Sequence, residues 1–114
     1  MPGVWRQGEY FGTRYITGPQ ILTLLVVLAD ERVADPDVTA LYVCPLYGPT
    51  AAEVVRTAVL AGTDRANAEF GTSLHPLDIR YSYSGWDTQR CNLADWAGYN
   101  IVRAVAAGTV TTTE

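Results

Sequence analysis

Lysine is absent from this chain of 114 residues, and all eight of its basic side chains are arginine. That excludes Schiff-base chemistry and every other lysine-dependent mechanism. Histidine occurs once, at His75, and cysteine twice, at Cys44 and Cys91. Two distant cysteines form no disulfide framework, and with a single histidine no paired zinc-ligand spacing exists. The glycine-rich loop and lysine that cradle phosphates are missing too, so no cofactor and no metal are expected. Long apolar runs are also scarce. The longest, residues 21–28, is interrupted by Thr23 and falls far short of the roughly 20 residues that cross a bilayer. No apolar leader follows the start, so a cytoplasmic location without membrane contact is expected. Positive charge is in deficit, with a net charge of −4. Nucleic-acid affinity rests largely on neutralising phosphates, so this balance disfavours such partners.

What the chain does have is core-forming material. Apolar residues make up 48 %, with three tryptophans, seven tyrosines and two phenylalanines. The length suits one domain, 1–114, with loose ends at 1–7 and 109–114. Strands are expected at 8–16, 21–28 and 38–46, separated by the turn signals Gly18-Pro19 and Asp35-Pro36-Asp37. The strands 21–28 and 38–46 are apolar on both faces, the pattern of central strands. Thr50 to Glu53 reads as a capping box opening a helix that Gly71 would end. Val55, Ala58, Val59, Gly62, Ala66 and Phe70 form its apolar stripe. A fourth strand follows His75-Pro76, alternating cleanly through residue 84. Asn92 can cap a second helix, with Asp95 in its first turn and Gly108 at its end. The fold class expected is α+β: a two-layer sandwich of a four-stranded, mainly antiparallel sheet with two helices on one face, in the order β-β-β-α-β-α.

The densest polar and aromatic stretch runs from Asp78 to Asp87. Ile79, Tyr81 and Tyr83 alternate with Asp78, Arg80, Ser82 and Ser84, and Trp86 and Asp87 sit in the loop beyond. The bland reading is a solvated strand face with one weak ion pair. The functional reading is a pocket. There His75, Asp78 and Asp87 would do acid–base work, since histidine titrates near neutrality and carboxylates accept protons. Arg80 and Arg90 would hold a small anionic ligand through their planar donors, between walls made by Tyr81, Tyr83 and Trp86. Cys44 reads as a buried hydrophobe. Cys91 precedes a helix start, where a thiolate is favoured and reactivity is expected.

The second half also resembles a known family. Val59-Leu60-Ala61-Gly62 leads into Ala66, Gly71 and Leu74, then Pro76 and Asp78-Ile79, and a closing helix carries Trp96-Ala97. Over residues 50–107 this resembles domain four of translation elongation factor G. The resemblance implies a two-layer β-β-β-α-β-α fold and a binding or assembly role without GTPase activity. The glycine- and histidine-containing loops that the factor uses at the ribosome are not evident here. The alternative is a small biosynthetic enzyme of acid–base lyase, isomerase or cyclase type, with its pocket on the strand 78–84 and the loop 85–90. Either way, the doubly apolar strands predict a homo-oligomer formed across the second sheet face or its edge.

Overall fold

The computed structural model describes residues 2–43 and 50–112. They form β1 (Val4–Gln7), β2 (Tyr10–Thr17), β3 (Gln20–Ala29), β4 (Asp37–Val43), α1 (Ala52–Phe70), β5 (His75–Ser84), α2 (Asn92–Ala107) and β6 (Thr111–Thr112). The chain is α+β, as its sequence pattern indicates, but the sheet has six strands in the order β4-β5-β3-β2-β1-β6. It is mixed. β1, β2, β3 and β5 pair antiparallel in turn, whereas β4 runs parallel to β5 and β6 parallel to β1. The parallel β4–β5 pair has a physical cause. A helix-length connection, α1, carries the chain back to the start of the next strand, as parallel pairing requires. The expected four-stranded sheet is therefore corrected to six. The two additions, β1 and β6, come from the segments read as loose ends.

Thr17 and Gln20 pair across the turn Gly18-Pro19. Gly18 has φ +55° and Pro19 has its ring-fixed negative φ, the sign pattern of a type II′ hairpin. The helices end as read, with Gly71 and Gly108 in the left-handed region donating their amides back to the last turns. Their starts differ. Thr50 does not cap α1, and its hydroxyl oxygen is buried without a partner. Glu53 instead forms an ion pair with Arg56.

One core joins the layers. Leu22, Leu24 and Val26 of β3 and Ile79, Tyr81 and Tyr83 of β5 pack against Val55, Ala58 and Val59 of α1 and Leu93, Ala94, Ala97 and Ile101 of α2. Both helices thus lie on one face. Close approach at their crossing depends on glycine: a methyl group at Gly62 would overlap the Asp95 carbonyl. Among the described residues, the opposite face of the sheet bears no helix. Of the two strands read as central, β3 is interior and β4 is an edge. Cys44 to Leu46, the end of the expected third strand, lie outside the described residues.

Candidate functional site

Alternation along β5 sends its side chains to opposite sides of the sheet, which divides the pocket expected from sequence. Tyr81 and Tyr83 turn toward the helices and are buried. The Tyr81 hydroxyl donates to the Thr50 carbonyl at 2.6 Å, and burial holds its phenol above the ordinary tyrosine range. The Tyr83 hydroxyl donates to Gln20 Oε1 at 2.7 Å and accepts the Asp87 amide at 3.1 Å. These two side chains tie loops to the core.

Asp78 and Arg80 face the other way, onto the uncovered side. There they meet a residue the sequence reading did not include. The Tyr10 hydroxyl reaches over β3 and donates to Asp78 Oδ2 at 2.6 Å, and the Arg80 guanidinium lies 5.0 Å from the Tyr10 ring centroid. Arg80 Nε stands 3.9 Å from the same carboxylate oxygen. The hydrogen bond to the Asp78 carboxylate raises the Tyr10 phenol pKa, with desolvation adding to it. Around this cluster lie Leu25 and Val27 of β3, and Trp5, whose ring covers Gly12 on the neighbouring strand. Ile16, Ile21 and Tyr42 complete the apolar part of the face, exposed by 65 %, 37 % and 51 % respectively. Tyr10-Phe11-Gly12, two aromatics against a glycine in a strand, was the one available signal for this arrangement: a glycine there leaves room that a cross-strand aromatic can fill.

The far end of β5 is a separate place. Asp78 and residue 84 are about 20 Å apart at 3.3–3.4 Å per strand residue, and Asp87 lies beyond. Its carboxylate is buried and accepts the amides of Arg90 at 3.3 Å and Asn92 at 3.0 Å. Asp87 is therefore the side chain that satisfies the start of α2, the role read for Asn92, which is itself the first helical residue. Trp86, Asp87, Thr88, Gln89, Arg90 and Asn92 line a shallow cleft of about 360 Å³. It adjoins a second of about 440 Å³ between α1 and α2, floored by Val54, Ala58 and Ala61. Asp87 is poorly placed as a base, because both its oxygens are committed to backbone amides.

His75 opens β5 beside a bulge, with Nε2 3.2 Å from Ser73 Oγ and Nδ1 buried without a partner. No hydrogen bond or ion pair among the described residues links it to Asp78 or Asp87. The structure thus joins Asp78 to Arg80, and Asp87 to Trp86 and Arg90, but does not assemble the three acid–base candidates. The reading of Cys91 as reactive is overturned. Its side chain is fully buried, and desolvation pushes the thiol up to about 11 despite its position at the helix start. No protein-family model, no curated protein and no solved structure matches the chain.

Proposed function

We propose that this chain is a non-catalytic binding and assembly module, working in the cytoplasm, whose docking surface is the open face of its sheet and whose partner there is a second copy. One observation carries the reading: a sheet covered by two helices on one side presents Trp5, Tyr10, Leu25, Val27, Arg80 and Tyr42 on the other, with no element of the described chain above them. Tryptophan, tyrosine and arginine are the residues that dominate the energetic centre of protein interfaces. The Asp78–Arg80 pair, braced by Tyr10, gives the face polar definition, and Arg14, Thr23 and Ser82 add polar groups beside it. Its size fits as well. Five strands about 4.8 Å apart and some seven residues long present roughly 600 Å² per copy, so two copies bury about 1,200 Å², the lower bound of a specific interface.

The resemblance to elongation factor G domain four supports the class of role. From β2 to α2 the elements run strand, strand, strand, helix, strand, helix, the order that the resemblance implies. The net charge of −4 sets protein contacts ahead of phosphate contacts. Light scattering across micromolar concentrations tests the reading. The wild-type chain should have a multiple of its monomer mass, and Leu25→Glu should halve that mass while the far-ultraviolet circular dichroism is kept. A monomeric wild type at high micromolar concentration, or a folded Leu25→Glu protein of unchanged mass, would overturn it.

A further inference from the structure

β4 is a strand whose composition and position disagree. From Val38 to Val43 it has no charge, no proline and no glycine, and its pattern is that of a strand buried on both sides. Yet among the described residues it is the edge of the sheet, paired only with β5. Residues 39–42 are all exposed, Leu41 by 52 %. Even Ala40, on the side where the helices pack, lies beyond their cover. The other edge is managed in a usual way, since β6 has only two residues. An edge strand with no charge past its first residue presents a row of amides and carbonyls on which another strand can pair along its length.

We infer that β4 pairs edge to edge with β4 of a second copy, antiparallel about a two-fold axis normal to the sheet. In that arrangement β4 becomes the interior strand its sequence describes. The contact is isologous and closes on itself, so the edge stops growing at two copies. The only charge in the strand is Asp37, at its first residue. Antiparallel pairing sends the two Asp37 side chains to opposite ends, whereas parallel pairing would set like charges side by side. The bulge at Leu41 interrupts the ladder with β5 and leaves 37–40 as the regular stretch. The axis also keeps both open faces on one side of the doubled sheet. The edge contact is therefore compatible with the open-face contact but does not depend on it.

Lysine at Leu41 or Thr39 supplies the edge charge that natural sheets use against such pairing. Leu41→Lys and Thr39→Lys should each halve the mass measured by light scattering, in the wild-type background and again in Leu25→Glu, where a dimer should become a monomer. Amides within 37–42 should exchange slowly with solvent in the dimer, and at least tenfold faster in Leu41→Lys at equal denaturant midpoint. If Leu25→Glu alone is already monomeric, or both lysine variants keep their mass and their slow amides, the edge contact is overturned and the open-face reading is left as it stands. If the lysine variants halve the mass and Leu25→Glu changes nothing, the edge contact holds and the open-face reading falls.

Discussion

Asp87 shows how one side chain can look catalytic in a sequence and be structural in a fold. A loop carboxylate beside tryptophan and arginine has the composition of a pocket. Here its oxygens take the Arg90 and Asn92 amides, and its own amide donates to Tyr83. Helix-start amides left without an acceptor cost stability, so Asp87→Ala should lower the unfolding free energy in urea by about 1–2 kcal/mol. Asp87→Asn, which keeps one acceptor oxygen, should lose less. Equal stability of all three proteins would show that the carboxylate caps nothing. Cys91 is the second case. Its thiol ionises near pH 11 in the folded chain and at about 8.5 once unfolded. Both states hold the proton below pH 8, so stability is unaffected there. Between about 8.5 and 11 the unfolded chain binds fewer protons, and stability falls as pH rises, by about 3 kcal/mol over the whole window. Cys91→Ala should flatten this alkaline limb up to pH 10, where Tyr81 and Tyr15, both raised by burial, begin to act in the same direction. In native buffer Cys91 should react with alkylating reagents only as fast as the chain opens.

At the scale of elements, the crossing of α1 and α2 is set by small residues. Glycine within a helix normally costs about 1 kcal/mol relative to alanine, so Gly62→Ala would ordinarily stabilise. The added methyl, however, meets the Asp95 carbonyl, a backbone atom that cannot rotate away. Overpacking of this kind costs more than the propensity gain, and Gly62→Ala should lower stability by about 3 kcal/mol. At Gly98 the nearest atom, Val59 O, is 3.0 Å from the added carbon. Gly98→Ala should accordingly cost less than half as much. Thermal melts of the two variants beside the wild type decide the order, and a Gly62→Ala protein as stable as wild type would refute the close crossing. Of the two helices, α2 holds the amino-terminal strand, together with β2. Asn100 of α2 is buried and donates to the Pro2 carbonyl at 2.9 Å, while Thr13 donates to the Gly3 carbonyl at 2.9 Å. That network makes β1 part of the sheet, and β6 then pairs beside it.

For the whole molecule, the layers are unequal in what they leave to solvent. The helices carry their own polar surface, including the Arg65–Asp95 pair with the Arg65 guanidinium 5.1 Å from the Trp96 ring. The sheet instead presents aromatic and aliphatic side chains beside the Asp78–Arg80 pair on its open face, and at one edge a strand with no charge past Asp37. A two-layer domain with one uncovered apolar sheet face reaches its full burial only in an assembly. Pairing of two copies through the open face implies a two-fold in the plane of that face, and pairing through β4 a two-fold normal to it. Together the two proposed contacts would give a four-chain particle with dihedral symmetry. The wild-type mass, that of Leu25→Glu and that of Leu41→Lys should therefore stand as four, two and two chains.

Local pattern was enough to place both helices, their glycine ends, the β2–β3 hairpin and the alternation of β5, because each depends on residues within a few positions of one another. It also determined that Asp78 and Arg80 share a face, since strand geometry puts every second side chain on one side. Tertiary structure alone decided the rest. It brought Tyr10 onto Asp78 from 68 positions away, divided the expected pocket between two sides of a sheet, and put Asp87 under the start of α2. It drew both ends of the chain into strands through partners near the opposite terminus, Asn100 for Pro2 and β1 for β6. The burial of Cys91 was equally out of reach. A helix start favours a thiolate, but the packing of two helices on a sheet desolvates this one, and desolvation is the larger effect.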